Sequence, residues 1–213
     1  MIREHVEDYL GAIYRLRTDG ASPVPLSQLG EYFGFSPVSV HEMVLKLSHQ
    51  GWVVYHPYQG VRLTESGEKV AAALLRRHRL WERFLTDMLK IPWDETHEIA
   101  ESLEHAAPES VTERLSDLLG DPEHCPHGGP IPPLTGTHKG QCLSSLPVGA
   151  QGRVTRISPE SPDLLHRVQQ WGLLPGRRLD VVEQDQVETM VKVEGGVVGV
   201  PAACAQAVWV EVL

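Results

Sequence analysis

LSQLGEYFGFSPVSVHEMVLKLSHQGWVVYHPYQGVRLT, residues 26–64, sets the architecture of the first third of the chain. Leu26–Phe33 is expected as a short helix with Ser27 as its N-cap, and Gly34 stops it. Ser36-Pro37 opens the next helix. The serine can cap free backbone N–H groups, and the proline occupies the first helical position, where a missing N–H costs nothing. Val40, Val44 and Leu47 give this helix its apolar stripe, and Gly51 ends it. Trp52–Tyr55, the turn residues Pro57 to Gly60, and Val61–Thr64 read as a β-hairpin by alternation and turn chemistry. A helix precedes them at Val6–Leu16, where Val6, Leu10, Ile13 and Leu16 recur at helical spacing. Helix, short helix, tight turn, helix and hairpin is the order of a winged helix-turn-helix.

The helix after Ser36 is the one expected to enter a DNA major groove. With Pro37 at its start, its outward residues are Ser36, Val38, Ser39, His41, Glu42 and Lys46. Serine and histidine can donate to phosphates or bases, and Val38 can meet a thymine methyl. Arg62 and Lys69, with the wing at Tyr55–Gly60, are placed to grip phosphate. The alternative is a winged helix used for protein contacts alone. Because the surface is not strongly basic, affinity is expected to depend on a dimer reading two half-sites.

The net charge of −9 over 213 residues would argue against a nucleic-acid partner if it were spread evenly. It is not. Residues 1–80 carry 9 Lys/Arg against 8 Asp/Glu, residues 81–135 carry 3 against 12, and residues 136–213 carry 7 against 8. The acidity sits in the middle third, as a solvated face or a cation site, and leaves the first third near neutral. No signal peptide and no membrane span are evident, so a cytosolic protein is expected. Cys125, Cys142 and Cys204 form no C-x-x-C pair and support neither a zinc ribbon nor a disulfide framework.

Beyond the hairpin, Thr64 caps a long helix to about Leu89. Helices follow from Pro92 to about Ala107 and from Pro108 to Leu119, with Gly120 as the stop. A Pro-, Gly- and His-rich stretch comes next. From Leu146 the pattern turns to five short strands, Gly152–Ile157, Arg178–Val182, Thr189–Val193, Val197–Val200 and Ala207–Val212, with a short helix at Asp163–Trp171. That suggests an SH3-like barrel. The fold class is thus mainly α with a small all-β domain. Its parts are a winged helix-turn-helix over 1–72, a helical domain over 73–135, a linker over 136–145 and the SH3-like domain over 146–213.

The sharpest chemistry lies on two helices. His78 and Glu82 are four residues apart on the long one. His97, Glu101, Glu104 and His105 fall within an arc of about 100° on the next. Each residue alone suits a solvated polar face; two such faces one turn of chain apart point to a metal site. Mixed imidazole and carboxylate donors suit Mn²⁺, Fe²⁺, Co²⁺ or Zn²⁺. His124-Cys-Pro-His127 reads as a structured loop rather than a separate zinc site, because of Pro126 and the lack of a partner cluster. A metallohydrolase is the rival reading, but no nucleophile motif, phosphate loop or H-E-x-x-H is present. A metal-independent winged-helix regulator is the second rival, and a role of the SH3-like domain primarily in interactions is a third.

Several motifs in one order resemble the diphtheria toxin repressor family of iron- and manganese-dependent repressors. They are Glu7-Asp-Tyr-Leu-Gly-Ala-Ile-Tyr14, Ser36-Pro37, Leu63-Thr-Glu-Ser-Gly67, Arg77-His-Arg-Leu80, Leu103-Glu-His105 and Cys125-Pro-His-Gly-Gly-Pro-Ile-Pro132. The resemblance implies a homodimer on an operator, with residues 73–135 serving metal binding and dimerisation and metal-transport genes as targets. It also implies two metal positions per subunit. One would use Asp8, Glu101, Glu104 and His105. The other would use His78, Glu82 and His97, completed from the SH3-like domain by Glu160 and Asp163, whose spacing fits. Iron-type members place a thioether near Asp8 and often a thiol at Glu101. Carboxylates at both positions favour Mn(II), with Fe(II) second. Gly11 is a departure, since some short manganese members carry a glutamate there. The mechanism implied is a cation tying Asp8 of the DNA-binding domain to the dimerisation helices, which raises the fraction of dimer competent for DNA.

Overall fold

A computed structural model describes residues 4–17, 22–133 and 140–213. The chain divides into two compact units, Met1–Arg76 and Arg77–Leu213.

The first unit contains α1 (Glu4–Leu16), α2 (Leu26–Phe33), α3 (Pro37–His49), the hairpin strands β1 (Val53–His56) and β2 (Gly60–Leu63), and the start of α4 (Glu65–Asp87). Its core gathers Leu10 and Ile13 of α1, Leu29 of α2, Val40, Val44 and Leu47 of α3, and Val61 of β2. Each fully buried aliphatic side chain of this kind contributes on the order of 1.5–3 kcal/mol. The two strands pair antiparallel from Val53 opposite Leu63 to His56 opposite Gly60. Val24 adds a bridge to Val61, so the wing is anchored beside the helices. Ser36 caps α3 as expected, its hydroxyl accepting from the Ser39 N–H at 3.2 Å.

The second unit continues α4 and adds α5 (Thr96–Glu104), α6 (Glu109–Leu119) and a six-stranded antiparallel sheet. The strands are β3 (Gln141–Cys142), β4 (Gln151–Ile157), β5 (Arg178–Gln184), β6 (Glu188–Val193), β7 (Gly196–Pro201) and β8 (Val208–Val212), ordered β3-β8-β4-β5-β6-β7. Helix α7 (Pro162–Gln170) buries Leu165 and Val168 in the core of the sheet, and α8 (Ala202–Ala205) buries Ala205 there. Leu80, Leu115 and Ile131 form a smaller core among the helices.

Ser27 lies inside α2, whose N-cap position is Pro25 with no side-chain cap, so it is not the cap expected of it. Three larger differences concern boundaries. Residues 93–95 are turn, and α5 begins at Thr96. Trp93 packs its ring against the sheet core, while the Thr96 hydroxyl donates to the Trp93 carbonyl at 2.8 Å, so this segment serves the tertiary structure instead of a helical turn. Of the expected linker 136–145, residues 136–139 lie outside the described residues. Gln141–Cys142 are strand β3, paired with β8. The third difference is the end of α5, at Glu104 rather than near Ala107.

Candidate metal centre and DNA-reading face

On α3 every sequence-predicted DNA residue is exposed: Ser36, Pro37, Val38, Ser39, His41, Glu42 and Lys46. Val38 retains 67% of its surface, a high value for an aliphatic residue at a helix start. Ser36 and Ser39 hydroxyls lie 2.9 Å apart, and the His41 ring stands edge-on to Tyr55 of the wing, centroids 5.5 Å apart. Arg62 is exposed on β2. Lys69 donates to Glu65 at 2.7 Å on the first turns of α4.

In the second unit, the i, i+4 spacing of His78 and Glu82 puts both on one face of α4, and both are fully buried. His78 Nε2 lies 3.0 Å from Glu82 Oε1 and 2.9 Å from His97 Nδ1 of α5. His97 Nδ1 is 3.1 Å from the same Glu82 oxygen and 3.4 Å from Glu160 Oε2, which arrives from the segment after β4. A further histidine completes the group: His127 Nδ1 is 3.1 Å from Glu82 Oε1. Sequence reasoning set His127 aside as part of a structured loop. The loop is indeed structured, and it delivers His127 into the cluster, with Cys125 buried beside it.

Two glycines explain how the loop gets there. Gly128 has φ +84, and a side chain on it would fall 2.0 Å from the Thr155 carbonyl oxygen of β4. A side chain on Gly129 would fall 2.8 Å from the Arg79 guanidinium. The Cys125–Pro130 loop is therefore wedged between α4 and β4, where only glycine fits at 128. Arg79 donates to the Pro130 carbonyl, and the Ile157 N–H donates to the His127 carbonyl at 3.0 Å. The run His124-Cys-Pro-His-Gly-Gly129 carried the signal, because two adjacent glycines after a histidine mark a close backbone approach.

The hydrogen bonds decide which ring nitrogens face inward. His127 Nε2 contacts the Trp93 carbonyl at 2.8 Å, which can only accept, so Nε2–H donates there and Nδ1 is the nitrogen turned toward Glu82, free to lend its lone pair once it gives up any proton. His78 Nδ1 meets the Glu104 carboxylate at 2.6 Å, so Nδ1–H donates there and the Nε2 lone pair likewise faces Glu82. Lone pairs directed at a buried carboxylate oxygen repel unless a proton or a cation lies among them. Glu82 Oε2 is buried without a hydrogen-bond partner. These donors fit a divalent transition-metal ion.

The titration of the group follows from the same geometry. Burial pushes the Glu82 carboxyl up, but His127 and His78 more than reverse this and hold it well below the usual carboxylate range. Burial pushes His127 down, yet the Glu82 charge, with hydrogen bonds to Cys125 and Glu82, raises it well above the usual histidine value. Burial, with Glu82 and Glu160 nearby, pushes the Cys125 thiol up to about 11.

Of the remaining predicted ligands, Glu104 is buried, with Oε1 3.6 Å from His105 Nε2. Glu101 is half-exposed and lies 3.6 Å from His97 Nε2. His78 thus connects the Glu82 group with Glu104. Asp8 is half-buried on α1 in the first unit. Asp163 is exposed on the first turn of α7 and does not join the cluster; in a helix that starts at Pro162, its side chain projects into solvent.

Known proteins share this plan. Residues 1–61 match the family model described as iron dependent repressor, N-terminal DNA binding domain. Residues 64–133 match iron dependent repressor, metal binding and dimerisation domain, and residues 141–212 match the FeoA domain. The iron-dependent repressor IdeR of Mycobacterium tuberculosis is 32% identical over 190 residues, 82% of each chain. The chain belongs to the iron-dependent repressor family. The diphtheria toxin repressor of Corynebacterium jeikeium, another member, is 27% identical and covers 96% of this chain, with 95% of its own length matched. Among solved members, a manganese-dependent transcriptional repressor in complex with manganese superposes with a TM-score of 0.87 at 34% identity, covering 98% of this chain and 100% of its own. ScaR with bound Zn²⁺ superposes with a TM-score of 0.84 at 30% identity, covering 98% and 99%. As an iron-dependent repressor family member, the chain is a metal-dependent, DNA-binding transcriptional repressor and not an enzyme, which sets the metallohydrolase reading aside. Among the described residues no helix is long and apolar enough to cross a membrane.

Proposed function

We propose that this repressor is activated by Mn(II), has two cation positions per subunit, and acts as a cytoplasmic homodimer on double-stranded operators of metal-uptake genes. The observation that carries the reading is the convergence of His78, His97 and His127 on the buried, half-unpartnered carboxylate of Glu82. In this reading the second position consists of His78, Glu82, His97, His127 and Glu160, with Asp163 left out. The first consists of Asp8, Glu101, Glu104 and His105.

When bound, a divalent cation would supply positive charge to these carboxylates in place of the proton that His127 gives up. The chain's own residues do the rest. Glu104 orients His78, and the Trp93 carbonyl orients His127. Asp8, on the helix that opens the DNA-binding unit, makes the reading unit's arrangement depend on the same ligand set, so metal raises the DNA-competent population. Carboxylates at 8 and 101 favour Mn(II). The manganese-dependent relative at 34% identity agrees. Fe(II) is the second reading, favoured by the three imidazoles beside the Cys125 thiol and by the iron-dependent relatives.

A DNA mobility-shift assay tests the proposal. Binding is expected to vanish with a chelator and return with Mn(II). Glu104→Ala should abolish metal-dependent binding while circular dichroism shows a folded chain; unchanged binding in that variant overturns the ligand assignment.

A further inference from the structure

Successive residues of a helix turn by about 100°. Taking Val38 as origin, the buried Val40, Val44 and Leu47 of α3 lie at about 200°, 240° and 180°, whereas Glu42 lies at about 40° and Lys46 at about 80°. Glu42 therefore stands near the middle of the face turned away from the core. The other polar groups at the start of that face are already engaged: Ser39 with Ser36, and His41 against the Tyr55 ring. Among the described residues the Glu42 carboxylate has no hydrogen-bond or ion-pair partner.

We infer that Glu42 reads a cytosine in each operator half-site. The inference rests on the reading that α3 enters the major groove, and it assigns the base class that this face selects. A carboxylate only accepts, so phosphates repel it and a backbone-gripping role is closed to it. In the major groove guanine offers acceptors and thymine an acceptor and a methyl group. Adenine flanks its amino donor with its own N7 acceptor, and cytosine alone presents an amino donor with no acceptor of its own on that edge. Lys46, one turn further along the same face, carries only donors and matches the O6 and N7 acceptors that guanine brings to a C·G pair.

The test is selection of binding sites from a random duplex DNA library by the full-length Mn(II)-loaded protein and by Glu42→Gln. Glu42 is exposed and outside every core, so this variant keeps the fold. The wild type is expected to enrich one cytosine per half-site. Glu42→Gln should replace it with adenine, which an amide meets through both N6 and N7, and leave the other positions unchanged. On fixed duplexes the wild type should prefer cytosine at that position by about tenfold, and the variant should lose that preference. The same base preference in both proteins overturns the assignment while leaving the repressor reading intact. No enrichment by the wild type overturns the repressor reading and this inference with it.

Discussion

His41 and Glu42 on α3, and His78 and Glu82 on α4, are the same two residue types put to opposite use. The first two are exposed, His41 with its ring edge-on to Tyr55 and Glu42 with its carboxylate open to solvent. The second two have no accessible surface and must be satisfied from within. A buried carboxylate costs several kcal/mol unless charge or hydrogen bonds meet it, so the chain surrounds Glu82 with imidazoles. Burial, not residue type, separates a carboxylate left open to solvent from one that the chain itself must satisfy.

The comparison can be broken most severely at Gly128. Gly128→Ala should cost about 3 kcal/mol or more in chemical denaturation, since its new methyl would meet the Thr155 carbonyl. The displaced loop should also take His127 away from the second cation position. A denaturation midpoint equal to the wild type's would show that the loop is not wedged.

Next in size is Glu82→Gln, which should weaken Mn(II) binding at one position by about 100-fold in calorimetric titration. Glu42→Gln should leave both positions unchanged. If the two variants bind Mn(II) alike, the contrast between exposed and buried pairs fails.

The pH dependence sharpens the contrast further. His127 is held above its usual 6.5, so its contribution to metal-free stability is complete below pH 6.5 and fades as pH rises through its folded value. Glu82 is held below its usual 4.5, so its contribution is complete above pH 4.5 and fades as pH falls through its folded value. Metal-free protein should draw most stability from this pair between about pH 4.5 and 6.5. Mn(II) affinity should instead climb with pH above 6.5, because His127 must release its proton to become a donor. A pH-independent affinity would place His127 outside the ligand set.

The smallest effect is expected in the first unit. Ser36→Ala removes the α3 cap and should cost about 1 kcal/mol in thermal unfolding, with Mn(II) affinity untouched. A loss of metal affinity in this variant would mean that the two regions are not separable.

Local rules made the reading unit legible. A serine cap, a proline after it and apolar residues at helical spacing act over a few residues, so α2 has the predicted bounds and α3 starts where expected. The i, i+4 pair His78 and Glu82 was legible for the same reason. For His127 the paired glycines signalled a tight loop but not its destination, because its place depends on contacts with Trp93, Thr155 and Arg79, distant in the chain. Asp163 shows the converse: its three-residue spacing from Glu160 looked ligand-like, but the helix starting at Pro162 turns it outward.

By itself, the sequence determined the order of elements, the winged helix-turn-helix, the strand-rich end, and the concentration of acidic and imidazole groups in the middle third, all properties of spacing and composition. Only the tertiary structure decided which of those groups are buried together, which nitrogen of each histidine faces Glu82, and that a loop from beyond α6 supplies a further one. The physical reason is that a cluster of like donors forms where packing removes water and hydrogen bonds from distant segments orient the rings, and neither is encoded within a few residues of chain.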